Sequence, residues 1–325
     1  MNDRVFLTGA SGFVGGHVAR ELRQAGYRVR VLARKPVALP SDVEVILGDL
    51  RLPGGLAGAL DGCRYLIHCA ALYSFAPRDR TALRHVNVAG TAGLLEAARV
   101  AGVERVVVTS SSATLGPARG DRAADERDWA HASRRSAYHR SKLDQERTAF
   151  AARIPVIAVL PTAPIGPGDG KPTPTGKLVL DFARGRIFAK PPAIGGMNLV
   201  AVEDVARAHV TALERGRIGE RYVLGGENLE FDRIWELLAT VTGRPAPRWR
   251  IPGQLAIAIA SADEIRCRIN AGAEPVVPLE GVRMARERMF VDSAKATREL
   301  GFRPGPVQPA LERALAWYRA HGYLN

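Results

Sequence analysis

The segment "AYHRSKLDQE" (137–146) places a phenol, Tyr138, four residues before an ammonium, Lys142, in a chain with only six lysines. On a helix, positions i and i+4 share a face, so the two groups can reach one point in space. A free phenol titrates near ~10, poorly matched to acid–base work at neutral pH. A cation about 4 Å away, at an effective dielectric of ~20, favours the phenolate by on the order of 4 kcal/mol before desolvation. Tyr138 is therefore a candidate general acid and base, with Lys142 expected to lower its pKa. A third group is on offer in "TSSS" (109–112), where Thr109, Ser110, Ser111 and Ser112 follow the apolar run "RVVVTS" (105–110). No G-x-S-x-G elbow occurs, which argues against a serine hydrolase.

The string "TGASGFVG" sets Gly9, Gly12 and Gly15 between the apolar run "RVFLTG" (4–9) and a helical pattern at 13–26. A tight turn needs the first glycine, close approach of a pyrophosphate favours the second, and helix-to-strand packing favours the third. The helix end adds free N–H groups and a positive dipole. This is the context in which such a motif predicts dinucleotide binding, with Ser11, Phe13 and Val14 in the same contact set. The second apolar run ends "VLARK": Arg34 and Lys35 stand where a carboxylate would hold the ribose 2′-OH of NAD. Two cations there suit a 2′-phosphate, so NADP(H) is the expected cofactor and NAD(H) the alternative.

Short apolar runs at 4–9, 28–33, 43–47, 65–70, 105–110 and 155–161 alternate with helical patterns, including "LRHVNVAGTAGLLEAARVAG" (83–102), which stops on Gly102. Continuous apolar strands separated by helices predict a parallel sheet buried on both faces, hence an α/β, doubly wound Rossmann fold. After Pro161 the stretch "PTAPIGPGDGKPTPTG" (161–176) is too rich in proline and glycine for a regular element. A helix follows at 202–216, with Asp204 in its first turn, and a strand at 220–226. The expected division is a nucleotide-binding domain at 1–161 plus 200–226. A smaller, helix-rich substrate lobe takes 162–199 plus 227–325.

Composition sets limits. The 325 residues carry a net charge of +13, but the basic residues are mostly arginines scattered from Arg4 to Arg319, with no basic block and no nucleic-acid motif. Cys63, Cys69 and Cys267 lack metal or redox spacing and read as apolar filler in a reducing cytoplasm. Strand character from Arg4 leaves no room for a signal peptide, and no 18-residue apolar run spans a membrane. "IPGQLAIAIA" (251–260) is apolar but short, a packed helix or a pocket wall. His68 reads as a satisfied strand histidine. The partners expected are a small-molecule substrate and a second copy of the chain, not nucleic acid.

In order along the chain, Gly9-x-x-Gly12-x-x-Gly15, "GDL" (48–50), "CAA" (69–71), Asn87 in "VNVAGT", "TSSS" and Tyr138-x-x-x-Lys142 resemble the extended short-chain dehydrogenase/reductases. The second-half strings "KPTPTGKLVLDF", "ERYVLGGENL" and "GVRMARERMFVDSAKATRELGFRP" look like the hopanoid-associated sugar epimerase group, itself similar to dihydroflavonol reductases. The resemblance implies a catalytic set of Ser111, Tyr138 and Lys142, with Ser112 as the alternative hydroxyl. It also implies that Asp49 and Leu50 clamp adenine, Ala70 and Ala71 pass the adenine ribose, Pro161 and Thr162 contact the nicotinamide carboxamide through backbone, and Thr109 belongs to the cofactor-binding set. Lys142 would hold the nicotinamide ribose, and Asn87 would be the superfamily's helix asparagine. A family histidine near 201 is Ala201 here. The "RPGD"-like string of nucleotide-sugar epimerases is replaced by "ARERMFVDSAKA", leaving Arg286 and Arg288 as anion candidates. Three functions follow: a reductase, an epimerase or dehydratase with tightly held NAD, and a non-catalytic dinucleotide sensor.

Overall fold

Side chains alternate across the central strands of the main sheet and both sets are buried, while the edge strand Glu44–Leu47 stays half-exposed. In β1 (Arg4–Thr8), Val5 and Leu7 join one core while Phe6 joins the other. The structure is a computed structural model that describes residues 3–52, 54–116, 122–131, 136–190, 195–270, 279–284 and 287–324. The strands that follow are β2 (Arg28–Ala33), β3 (Glu44–Leu47), β4 (Tyr65–His68), β5 (Arg105–Thr109) and β6 (Val156–Pro161). After these come β7 (Ala163–Ile165), β8 (Ala189–Lys190), β9 (Gly196–Ala201), β10 (Arg221–Leu224), β11 (Glu227–Glu230), β12 (Trp249–Arg250) and β13 (Arg288–Met289). The main sheet has seven strands, all parallel, in the order β10-β6-β5-β4-β1-β2-β3. The expected doubly wound α/β fold is the fold found. Its order reverses between β1 and β4, the place where such sheets open a ligand crevice.

Helices cover both faces. They are α1 (Phe13–Gln24), α2 (Leu56–Ala59), α3 (Arg80–Leu83), α4 (Gly90–Val100), α5 (Ala137–Ala151), α6 (Pro174–Ala183) and α7 (Val202–Arg215). The rest are α8 (Phe231–Thr242), α9 (Gly253–Ile269), α10 (Leu279–Met284), α11 (Ala294–Leu300) and α12 (Val307–Ala320). α1 and α7 pack on one face of the sheet, with Val18, Leu22, Val205 and Leu213 in the core. α2 and α4 close the other through Leu56, Leu94 and Ala98. The helix expected at 83–102 is continuous from α3 to α4 through a π-helical turn, Arg84–Ala89, which carries Asn87.

The distal part departs from expectation. β7, β9, β11 and β13 form a second, four-stranded sheet that the reading of 162–199 and 227–325 as helix and irregular chain did not contain. The proline-rich stretch 161–176 holds β7 and the start of α6, because Thr173 caps that helix and Pro174 fits its first turn. A third core, built from α6, α8, α12 and β9, lies under this sheet. Residue 200 falls inside β9, whose Leu199 and Ala201 face this core while Val200 faces the main one.

Candidate active site and nucleotide cradle

β1, β4, β5 and β6 run parallel and in register, so Thr8, His68, Thr109 and Pro161 end at one edge. The site-residue segments 9–15, 34–35, 49–50, 70–71, 109–111 and 161–162 all leave the sheet there. Gly9 adopts φ +81°, and a Cβ on it would lie 2.7 Å from the Ala70 backbone nitrogen. A Cβ on Gly15 would lie 2.1 Å from the Gly9 carbonyl oxygen. These two positions exclude any side chain, which fits the roles that the glycine spacing predicts. No side chain caps α1 at Gly12, so its first amides face the crevice with exposed Ser11 and half-buried Phe13 and Val14 beside them. A cradle that any Cβ would fill, at an uncapped helix end, fits a dinucleotide pyrophosphate.

Arg34 and Lys35 are exposed just beyond β2. The Asp49 carboxylate is gripped by Arg51 through Nε and Nη2, at 3.0 and 2.6 Å, which holds it below the usual carboxylate range, and Arg34 adds a smaller pull. Leu50 is buried and Gly90 packs against it, where a Cβ would meet the Leu50 Cβ at 3.1 Å. Ala70 donates its N–H to Thr8 Oγ1 at 3.2 Å, with half-buried Ala70 and exposed Ala71 forming the lip of the turn. Thr162 donates its hydroxyl to Asn198 Oδ1 at 2.8 Å, and Pro161 closes β6. Of the two anion candidates, Arg286 lies outside the described residues, and Arg288 pairs with Glu230 at 3.0 Å.

α5 delivers the acid–base pair. Ser136 caps it, its hydroxyl accepting from the His139 N–H, and Tyr138 sits in the first turn. The Ser111 hydroxyl lies beside the Tyr138 phenol and favours its ionised form, while it accepts from the Ala113 N–H at 3.1 Å; Ser112 instead opens a short 3-10 turn. Tyr73 meets the ring at a tilt and Phe75 edge to face, at centroid distances of 4.4 and 5.7 Å. Burial pushes the phenol up to about 12, and the Ser111 hydroxyl only partly offsets this. The expected lowering by Lys142 does not come from the polypeptide, because that ammonium is engaged elsewhere. Its Nζ donates to the Thr109 carbonyl at 2.9 Å and to Gln145 Oε1, and burial pulls its pKa down to about 8.

Behind Lys142 runs a buried chain that the sequence did not disclose. Gln145 donates to Thr91 Oγ1 at 3.1 Å; Thr91 meets His68 Nε2 at 2.9 Å; His68 Nδ1 meets Thr8 Oγ1 at 2.7 Å. Thr8 then accepts from Ala70, so the chain joins Lys142 to the glycine cradle. His68 is satisfied as expected, and burial drops its pKa to about 3, so it stays neutral. Asn87 is buried and structural. It clasps Leu72 through its N–H (2.7 Å) and carbonyl (3.0 Å) and donates to Ser141 of α5 at 3.0 Å, fixing the Tyr73 loop against the Tyr138 helix. Thr109 is hydrogen-bonded to His209 at 2.8 Å, and Cys69, below it, is raised by burial to about 12 and is inert.

Known proteins are similar to this chain in sequence and fold. Residues 5–225 match the model of the NAD dependent epimerase/dehydratase family. A Synechocystis sp. protein bearing the name of dihydroflavonol 4-reductase is 39% identical, over 100% of this chain and 97% of its own. Sterol demethylase protein B of Methylococcus capsulatus is 34% identical over 98% and 99%. The crystal structure of gox2253 superposes with a TM-score of 0.85 at 38% identity, covering both chains fully. MoeE5 in complex with UDP-glucose and NAD superposes at 0.76 and 27%, over 98% and 99%. The sensor reading falls with these matches: the chain is an enzyme, and it belongs to the NAD dependent epimerase/dehydratase family.

Proposed function

We propose that the enzyme interconverts a secondary alcohol and its ketone on an apolar small molecule, with Tyr138 as general acid and base. When bound, the nicotinamide cofactor supplies or accepts the hydride. The observation that carries this reading is that the Ser111 hydroxyl and the Tyr138 phenol are brought together, with the buried Lys142 ammonium one helical turn on in the same helix at the carboxyl edge of the sheet. Ser111 orients the substrate oxygen, and Tyr138 gives it a proton in reduction or takes one in oxidation. Lys142 holds the cofactor ribose from its seat on Thr109 and Gln145. The aromatic wall of Tyr73 and Phe75 suits a ring-like or lipid-like substrate, as does the sterol in one relative's name.

Gly9 to Gly15, Asp49, Leu50, Ala70, Ala71, Thr109, Pro161 and Thr162 form the cofactor set in this proposal. Arg34 and Lys35 give the preference for NADP(H), since Arg51 already occupies the nearby Asp49 carboxylate. The nucleotide domain is 1–161 plus 200–226, supported by the two cores on the main sheet; the substrate lobe, with its own core, takes the remainder. The three free cysteines support a cytoplasmic setting. An epimerase or dehydratase that retains NAD is the second reading, favoured by the likeness to MoeE5.

The test is transfer of deuterium from the C4 position of NADPH or NADH into a panel of sterol and aryl ketones. The parent should label the product, and Tyr138→Phe should lose ~10²–10⁴-fold in turnover with nucleotide affinity retained. Unchanged turnover in that variant would remove Tyr138 from the mechanism. Purified protein that retains NAD and labels no ketone would promote the second reading. Arg34→Ala/Lys35→Ala should weaken NADPH about ten- to hundredfold more than NADH at fixed salt, the worth of one charge-assisted hydrogen bond. Equal losses for both nucleotides would end the 2′-phosphate assignment.

A further inference from the structure

Helix α9 leaves an aliphatic stripe exposed. Its exposed positions recur at helical spacing, and five of them are Leu255, Ala258, Ile259, Ala262 and Ile265, with Ile269, 81% exposed, at the end. Ser261, Asp263 and Glu264 are half-buried on the side that also covers Ile257 and Ala260, while Gln254 and Arg266 share the exposed side, and Asp263 is paired with Arg266 at 2.7 Å. A surface helix ordinarily hides its aliphatic side, so an exposed stripe of this length marks a face with an apolar partner. Trp249 of β12, just before α9, and Phe188, just before the paired strand β8, are exposed (79% and 80%). Aromatic residues beside an aliphatic stripe are typical of groups seated at a membrane–water boundary.

Charge decides between partners. Segments 184–190 and 244–270 hold eight arginines and lysines against Asp263 and Glu264, a net +6 of the whole chain's +13. Asp232 takes up Arg250 and Lys190, and Asp181 reaches Arg186 at 4.0 Å, but Arg184, Arg244 and Arg248 are exposed in the same segments. A second copy of the chain would bring the same positive field against itself. An anionic lipid surface would not. No described helix is long and apolar enough to cross a membrane, so the contact is peripheral.

We propose that α9 and the β8–β12 pair dock the enzyme on an anionic membrane surface, aliphatic stripe in the acyl boundary and arginines on the headgroups. The docking does not depend on the reaction assigned to the site. It is tested by flotation of the full chain with vesicles of phosphatidylcholine alone or with about a third phosphatidylglycerol, at low and physiological salt. The parent should float with the anionic vesicles, less so as salt rises, and weakly with the neutral ones. Leu255→Ser/Ile259→Ser, both at exposed positions, should lower the partition at least about tenfold, with melting temperature and nucleotide binding unchanged. Failure of the parent to float with anionic vesicles overturns the proposal, as does equal flotation of the double variant. A parent dimer that the double variant dissociates, without vesicle binding by either, overturns it in favour of a second copy.

Discussion

One helix, α5, carries two buried polar clusters one turn apart, and they are built on different terms. Around Glu146 every group is charged or saturated. Arg221 pairs with it in full burial, donates to the Glu126 carbonyl at 2.7 Å and to Thr114 at 2.9 Å, and lies 3.7 Å over the Trp129 ring; Ser110 adds its hydroxyl to the carboxylate. Around Lys142 the hydrogen-bond partners are neutral: a carbonyl, an amide, and behind them two hydroxyls and an imidazole. The saturated pair fixes the helix to β10 and to the loop that bears Ser110 and Ser111. The ammonium, held by dipoles rather than a carboxylate and pulled to about 8, sits close to its own change of charge. Scaffold charge is locked, while the charge beside Tyr138 is left adjustable.

The largest effect should come from breaking the locked cluster. Glu146→Ala leaves Arg221 buried without its counter-charge, which costs about 3–5 kcal/mol, a large part of a domain's total. Urea unfolding measures it. Replacing both partners by Glu146→Leu/Arg221→Met should recover most of the loss, because the desolvation penalty disappears with the charges. A double variant as unstable as Glu146→Ala would show that Arg221's bonds to Thr114 and Glu126 matter more than the pair itself.

This contrast also explains what the sequence could disclose. The glycine cradle and the Tyr138–Lys142 pair are set by spacing within a few residues, so local pattern suffices. The main-sheet strands announce themselves by unbroken apolar runs. Glu146 and Arg221 stand 75 residues apart, and Gln145 meets Thr91 across 54, so neither cluster has a local signal. The four strands of the small sheet are short and scattered between residues 163 and 289, and they pair only once α6, α8 and α12 give them a core. Spacing alone does not fix the pKa relation between Tyr138 and Lys142, for the same reason. Position i+4 fixes proximity, but burial and the hydrogen-bond partners of Lys142 set the sign.

The adjustable cluster predicts a pH signature. The folded pKa of Lys142, about 8, lies below the ordinary value of ~10.4, so the native state sheds this proton first. Between those values the unfolded chain binds more protons, and stability contributed by Lys142 rises with pH. That contribution is full above the ordinary value and is lost as pH falls through about 8. In Lys142→Met the rise should vanish, a difference from the parent on the order of 3 kcal/mol across the window. Urea melts of both proteins at several pH values test it, since titrations that the Lys142 charge does not reach cancel in the difference, while Cys69, which it does reach, is controlled with Cys69→Ala in both backgrounds. Parallel curves would mean that the ammonium keeps an ordinary pKa in the folded enzyme.

The smallest perturbation converts one cluster into the other. Gln145→Glu keeps the shape of the side chain and puts a carboxylate on Lys142, as Arg221 has on Glu146. The ion pair should stabilise the ammonium and move its pKa upward, erasing the rise in stability above pH ~8 as Lys142→Met does, but with the lysine still present. The cost at neutral pH should stay near 1 kcal/mol. The new carboxylate gains Lys142 but loses the amide proton that Gln145 gives Thr91, whose own hydroxyl proton is committed to the Asn87 carbonyl at 2.7 Å. Turnover separates the two designs. If a loosely held ammonium matters to Tyr138, the upper limb of the kcat profile shifts to higher pH in Gln145→Glu while Tyr138 and Ser111 stay in place. A profile that coincides with the parent's would mean that the neutral cluster serves only to position Lys142, and that its low pKa is a by-product of burial.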